Sequence, residues 1–150
     1  AMGPLAGASI ELVKILLNFI INGTTTAGVG EMANFLIGCA LVVPAGIIYR
    51  RKRTRTGAII GMATGTVFMT LIGCLLNAYV LLPAYATAFQ MPIDALVAMG
   101  TAVNGSINSL LTFVAFAVAP FNLLKGVLVS LIVFLIYKKI SPDFRMNSQA

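Results

Sequence analysis

The sequence predicts an all-α integral membrane protein, a helical bundle that forms a single transmembrane domain over residues 1–150. Two observations support this prediction: 59% of the 150 residues are apolar while only 9% are charged, and the mean hydropathy is +1.00. Average soluble domains carry about 25% charged residues. We therefore expect lipid rather than water to surround most of this chain.

Four apolar stretches are long enough to cross a hydrocarbon core about 30 Å thick. These spans are predicted at about residues 5–21, 31–49, 57–82 and 119–137. The stretch 22–30 is rich in Gly and Thr and predicts a loop, and residues 83–118 are predicted as an outer segment, partly helical and folded against the bundle. Residues 106–118 are apolar but short for a span, and Pro120 interrupts their continuation. We interpret them either as a helix that dips into the membrane or as an extension of the last span.

Basic residues flank the predicted spans and indicate an orientation. Five of the ten lie between Arg50 and Arg55, and Lys138, Lys139 and Arg145 follow the last span. Short cytoplasmic loops carry such an excess of Lys and Arg. We therefore expect the basic loop 50–55 and the C-terminus in the cytoplasm. No aromatic residue is interleaved with the five charges between Arg50 and Arg55, so nucleic acid is not an expected partner.

Lys125 is the least expected residue for its position, because it lies inside an apolar run. A charge within a membrane helix costs roughly 3 kcal/mol on insertion scales and usually lines a cavity or has a partner. Asn122 lies three positions earlier, close enough to be a neighbour on a helix. The pair predicts a polar binding site in the outer half of the membrane. Alternatively, Lys125 extends its long stem to the membrane surface.

Polar residues of the other spans fall at the same predicted depth. The outer ends of the first three spans carry hydrogen-bonding side chains, namely Asn18, Glu31, Asn34, Asn77 and Tyr79. A shared pocket open to the outside would explain this distribution. The alternative is that individual residues only cap helix ends, as Glu31 would at a helix N-terminus.

Two further patterns indicate packing between helices. Glu11 and Lys14 lie near mid-membrane and can neutralise each other, which favours a structural ion pair over the alternative of a binding role. Gly57, Gly61 and Gly65 have the spacing that lets membrane helices approach closely. These glycines predict packing within the bundle or, alternatively, docking of a membrane partner.

The chain has no recognisable catalytic motif, and we expect it not to be an enzyme. It contains no histidine, no phosphate-binding loop, no nucleophile elbow and no zinc-protease motif. Cys39 and Cys74 lie within apolar spans and are interpreted as small hydrophobic residues rather than metal ligands. Any transport must therefore draw its energy from another subunit or an ion gradient.

Several short stretches, spread over nearly the whole chain, resemble a known family. They are Gly23-Thr24-Thr25-Thr26, Gly28-Val29-Gly30-Glu31-Met32-Ala33-Asn34-Phe35-Leu36-Ile37-Gly38, Pro44-Ala45 with Ile48-Tyr49, Gly65-Thr66 with Met69, Met99-Gly100-Thr101-Ala102-Val103-Asn104, and Ala119-Pro120-Phe121-Asn122-Leu123-Leu124-Lys125-Gly126. Together they resemble the riboflavin-binding S component of energy-coupling-factor (ECF) vitamin transporters, which are multi-pass proteins of prokaryotic cell membranes.

The resemblance implies a fold, a substrate and partners. The family has six membrane helices, of which this chain resembles helices three to six, so the resemblance implies that two N-terminal helices and their outer loop are missing. Riboflavin, or alternatively FMN, would be the transported substrate rather than a cofactor. The partners would be one membrane coupling protein and two ATPase subunits.

The resemblance also implies roles for particular residues. Asn122 and Lys125 would hydrogen-bond the polar edge of the isoalloxazine ring, because asparagine supplies donors and an acceptor and lysine supplies donors. Weaker candidates for ring or ribityl contacts are Asn34, Asn77, Asn104 and Thr25. The alternative function is a structural or assembly subunit without a small-molecule ligand, which would suit the glycines and the Glu11–Lys14 pair.

Overall fold

A computed structural model describes residues 3–24 and 27–146, with side chains up to residue 136. The described residues are helical almost throughout and contain no strand. The elements are α1 (Pro4–Asn22), α2 (Val29–Arg51), α3 (Arg55–Leu76), π1 (Asn77–Leu81), α4 (Leu82–Ala88), α5 (Ile93–Val103), α6 (Leu110–Phe113), π2 (Val114–Val118) and α7 (Ala119–Met146).

Four helical stretches of the described chain are long and apolar enough to cross a membrane. They are Pro4–Asn22, Val29–Arg51, Arg55–Ala88 and Leu110–Ile136. The third continues through α3, π1 and α4, and the fourth through α6, π2 and α7. The prediction of an all-α membrane bundle is confirmed.

The four spans lie side by side in chain order, so that α1 packs on α2, α2 on α3, and α3 on α7. Each pair is antiparallel, as the contacts between α2 and α3 illustrate. Gly61 lies against Ala45, and Gly65, one turn later, lies against Leu41. The bundle is therefore a row of helices in which α2 and α3 have neighbours on both sides.

Backbone contact at glycines brings α2 and α3 together. A Cβ atom built on Gly61 would lie 2.8 Å from the carbonyl oxygen of Ala45, and one on Gly65 would collide with the carbonyl oxygen of Leu41. Gly57 instead faces Lys52 in the connecting loop, beside the N-cap residue Thr54, whose Oγ1 accepts from the Gly57 amide at 3.0 Å. The prediction that these glycines pack within the bundle is confirmed for Gly61 and Gly65, whereas Gly57 packs on the connecting loop.

The third and fourth spans each contain a π-helical turn shortly before a proline, and the helix continues beyond that proline. The Leu82 amide donates to the carbonyl of Asn77, and the Ala119 amide donates to the carbonyl of Val114, each five residues back. The next residue is Pro83 in one helix and Pro120 in the other. A proline lacks the N–H and clashes with the carbonyl four residues earlier in an α-helix, and a wider turn relieves that clash.

These turns explain where the spans differ from the predicted bounds. The third span was expected to end near Leu82, but its helix continues to Ala88. The fourth was expected to begin near Ala119, but the continuous helix begins at Leu110. Residues 110–118 are therefore an extension of the last span, which is one of the two interpretations of this stretch, and Pro120 does not interrupt it.

The segment between the third and fourth spans folds against the two π-helical turns. Ala78, Leu82 and Val114 form a buried cluster on which Leu96 of α5 and Phe113 pack. The fourth span begins with a capping box, in which the Ser109 and Thr112 side chains each bond the other residue's backbone amide. With eleven residues, α5 is too short to span the membrane.

The predicted ion pair between Glu11 and Lys14 is present. Lys14 Nζ lies 2.5 Å from Glu11 Oε2, and the two side chains are 56% and 16% exposed, respectively. The Glu11 carboxylate rests on Gly38 of α2, in the space that a side chain there would fill. The pair therefore belongs to the α1–α2 interface, as its structural interpretation predicted.

Candidate functional site

The buried polar group of the last span is the side-chain amide of Asn122, which is only 4% exposed. It lies on Gly73 of α3. A Cβ atom built on Gly73 would be 2.9 Å from Asn122 Nδ2, 3.0 Å from Cγ and 3.2 Å from Oδ1. The amide thus occupies the space that any side chain at residue 73 would take.

The Asn122 amide uses only part of its hydrogen-bonding capacity inside the protein. Its Nδ2 donates to the carbonyl of Val118, the last residue of π2, at 3.0 Å. Oδ1 accepts no hydrogen bond from the described residues. Every fully buried side-chain nitrogen or oxygen among those residues has a hydrogen-bond partner. Because Oδ1 has none, it must be partly exposed. Within the described residues the amide therefore leaves one N–H donor and one carbonyl acceptor unused.

Asn77 meets the same glycine from within its own helix. Its Nδ2 donates to the carbonyl of Gly73 at 2.7 Å, and the half-buried residue opens π1. Two of the predicted site residues, Asn77 and Asn122, therefore both contact Gly73. We refer to Gly73, Asn77 and Asn122 as the Gly73 cluster.

Polar contacts continue along the α3–α7 interface beyond this cluster. Thr66 is 5% exposed, and its Oγ1 lies 3.4 Å from Ser130 Oγ. Thr66 also packs on Gly126, where an added Cβ atom would lie 2.5 Å from Thr66 Cγ2. The sequence-based prediction missed Thr66 and Ser130. The spacing of Asn122, Gly126 and Ser130, four residues apart, is the signal that could have indicated this face of α7.

Lys125 does not share the buried face of Asn122. It is exposed, it lies roughly 100° around the helix from buried Gly126, and it is about 4.5 Å along the axis from Asn122. Its ammonium group makes no hydrogen bond or ion pair with residues that the structure describes. Its immediate neighbours Leu124 and Leu128 are also exposed. The lysine is available to a ligand or to the membrane surface.

The other predicted site residues are not joined to the Gly73 cluster by the described contacts. Asn34 is exposed on α2, although the register of α2 against α3 puts it level with Ile72. Asn104 is exposed at the end of α5, where its Oδ1 accepts from the Ser106 amide at 3.1 Å. Thr25 lies outside the described residues.

Glu31, predicted either to line the pocket or to cap a helix, is held by the loop before α2. Thr24 Oγ1 donates to Glu31 Oε2 at 3.1 Å and accepts from the Gly28 amide at 2.8 Å. Gly28 has a φ of +88°, a left-handed conformation that suits glycine. The carboxylate in the first turn thus stabilises the start of α2, which agrees with the capping alternative.

An open groove of about 560 Å³ lies between α2 and α3. Its lining is almost entirely apolar and includes Leu36, Pro44, Phe68 and Ile72. None of the predicted site residues lines it. The polar candidate site and this groove are therefore separate features.

Comparison with known proteins identifies the class to which this fold and polar interface belong. The chain matches the family described as "ECF transporter, substrate-specific component" over residues 1–137. The chain belongs to this family, and the resemblance drawn from its motifs is confirmed. Its members are components of transporters, so the chain is a transport subunit and not an enzyme.

Two curated proteins are similar to nearly the whole chain. The riboflavin transporter FmnP of Bacillus subtilis (strain 168) is 32% identical over 149 residues, which are 99% of this chain and 73% of that protein. The riboflavin transporter RibU of Staphylococcus aureus (strain TCH60) is 33% identical over 139 residues, which are 93% of this chain and 66% of that protein. No solved structure matches the chain significantly.

Proposed function

We propose that the chain is the substrate-binding part of an ECF transporter that takes up riboflavin. The family assignment and the two riboflavin transporters among its relatives support this substrate. Energy would come from partner subunits, a membrane coupling protein and two ATPases, because the chain has no ATP-binding motif.

The observation that carries the proposal is the buried Asn122 amide with an unused donor and acceptor. The pyrimidine edge of a flavin presents carbonyl acceptors beside a ring N–H, so one asparagine amide can pair with both kinds of group. Lys125 lies about one helical turn away and can donate to a flavin carbonyl. When a buried polar group has no hydrogen-bond partner in the absence of its ligand, the site strongly prefers that ligand over analogues that cannot form the bond.

The proposal includes an orientation in the cell membrane. With the basic loop 50–55 and the C-terminus in the cytoplasm, the Gly73 cluster lies in the outer half of the membrane. Riboflavin would then enter from the outside and leave toward the cytoplasm when the ATPases act. Asn34, Asn104 and Thr25 stay as weaker candidates for contacts to the ring or the ribityl chain.

Riboflavin fluorescence quenching tests the proposal on the detergent-solubilised protein that contains this chain. We expect Lys125→Ala to weaken riboflavin binding by at least about 1.5 kcal/mol, roughly tenfold, since a hydrogen bond from a charged group is lost. Asn122→Ala should weaken it at least as much, because the Asn122 amide is buried.

Asn22→Ala is the matched control, because Asn22 is an exposed asparagine outside the predicted pocket, and its Nδ2 donates to Asn18 Oδ1 at 2.7 Å. Its riboflavin affinity should equal that of the unmodified protein. Parallel titration with FMN determines whether a phosphate is tolerated. Flat titrations with both flavins would contradict the proposal and favour the structural or assembly subunit.

A further inference from the structure

We propose that Gly73 is a positioning residue for the substrate: its missing side chain seats the Asn122 amide in its binding orientation. The inference rests on the proposed function, because it assigns the ligand contact to Asn122. It also gives Asn77 a different role from direct ligand contact, namely to hold the backbone of Gly73.

The first support is the fit between the Asn122 amide and Gly73. Three atoms of the amide lie between 2.9 and 3.2 Å from the position of a Cβ atom on Gly73. Few real Cβ contacts are that short, so even an alanine would push the amide away. The added methyl group would meet the end of the Asn122 side chain rather than a backbone, so the amide can move while the helices stay in place.

The second support is that the orientation of the Asn122 amide depends on this contact with Gly73. The terminal torsion of asparagine is broad and roughly two-fold, so packing and hydrogen bonds determine which way the amide points. One N–H is fixed on the Val118 carbonyl at 3.0 Å, and Gly73 limits the position of the whole amide, with Nδ2 closest at 2.9 Å and Oδ1 at 3.2 Å. Displacement would misplace the donor and acceptor that face the ligand.

The third support is that Asn77 fixes the backbone of Gly73 from within the same helix. Its Nδ2 binds the Gly73 carbonyl at 2.7 Å, at the point where α3 passes into π1. This bond uses a donor of Asn77 and ties the backbone at residue 73 to the wider turn. Asn77 therefore acts on Asn122 through Gly73.

The other glycines of the helix interfaces lack this relation to the candidate site. Gly61 meets the backbone of α2, and Gly126 meets Thr66 in the same interface as Gly73. Gly126→Ala is thus a matched control: it adds one methyl group between α3 and α7 and displaces a side chain, but that side chain is Thr66.

A double-mutant cycle with riboflavin titration tests the inference. We expect Gly73→Ala and Asn122→Ala each to weaken riboflavin binding at least tenfold. The double variant should bind within about twofold of Asn122→Ala alone, because Gly73 has no amide left to position. Gly126→Ala should cost less than threefold, and that cost should persist unchanged in the Asn122→Ala background.

Several outcomes separate this inference from the proposed function. If Asn122→Ala binds riboflavin normally, the proposed site itself is wrong. If Asn122→Ala is impaired while Gly73→Ala binds normally, or if the two losses multiply in the double variant, only the role of Gly73 is overturned.

Asn77→Ala provides a second route that adds no volume to the interface. It should weaken riboflavin binding severalfold, and this loss should disappear in the Asn122→Ala background. A loss that persists there would instead indicate direct contact between Asn77 and the ligand. Thermal unfolding of each variant, followed by circular dichroism, reports the folded fraction for every titration.

Discussion

At the residue scale, three polar side chains in the membrane segments lie where a glycine of the adjacent helix makes room. The pairs are Glu11 on Gly38, Asn122 on Gly73, and Thr66 on Gly126. A polar group that faces lipid without a partner is costly. Each glycine lets a polar head pack against a neighbouring helix instead, and so lowers that cost.

The Glu11–Lys14 pair gives a prediction about stability at this scale. Lys14→Met leaves the largely buried Glu11 carboxylate without its partner, so we expect a loss of roughly 1–3 kcal/mol in the free energy of unfolding. The double variant Glu11→Gln with Lys14→Met should recover at least half of that loss, because no charge remains. Thermal unfolding in detergent measures both.

Ser9→Ala is the control on the same helix, since the exposed Ser9 side chain donates only to the Leu5 carbonyl at 3.0 Å. It should leave the unfolding temperature unchanged. If Lys14→Met proved as stable as Ser9→Ala, the ion pair would have no structural role.

The sequence drew attention to Asn122 and Lys125 in the last span, but it did not predict their surroundings. An interval of three residues suggested that Asn122 and Lys125 share a face, yet they differ by roughly 60° around a helix. That angle is enough to bury one against α3 and expose the other. Helical periodicity contains no information about which neighbouring helix offers a glycine, so Gly73 escaped prediction.

At the element scale, glycine determines how closely α2 and α3 approach, and π-helical turns determine how far the later spans extend. The glycine spacing was readable in the sequence because it repeats every four residues on one helix face. The two π-helical turns were not, because each prolongs a helix through a proline that ordinarily marks a boundary. Pro83 and Pro120 therefore led to spans that were predicted too short.

The α2–α3 interface gives a prediction about close packing. Gly65→Ala places a methyl group against the carbonyl of Leu41, where only a backbone shift can relieve the contact. We expect a loss of roughly 1–3 kcal/mol in the free energy of unfolding, typical of overpacking. Circular dichroism during thermal unfolding in detergent measures it.

The control is Gly105→Ala, because nothing lies within 4 Å of a Cβ atom at Gly105. Its unfolding temperature should match that of the unmodified protein within error. Equal stability of the Gly65 and Gly105 variants would show that close backbone approach is unimportant here.

At the scale of the whole molecule, composition alone predicted a membrane bundle, and the distribution of basic residues predicted its orientation. The bundle is confirmed by four long apolar helices. Orientation depends on the membrane and the cell that surround the protein, so it remains a prediction from the Arg and Lys residues around α2 and α3.

Cysteine labelling in intact cells tests that orientation. In a background with Cys39→Ala and Cys74→Ala, we expect Gly105→Cys to react with a membrane-impermeant maleimide added outside. Arg53→Cys should react only after permeabilisation, because the basic loop would face the cytoplasm. The reverse pattern would place the Gly73 cluster in the inner half of the membrane and contradict capture of riboflavin from outside.

The arrangement of the four spans in a row has a consequence for cooperativity. Because each span packs chiefly on its immediate neighbours, the energy of the bundle is close to a sum of three pairwise terms, as in linear repeat proteins. A defect in one interface should then weaken that interface and leave the others near their original strength. A change at the α3–α7 interface, which holds the Gly73 cluster, should therefore leave the contact between α1 and α2 intact.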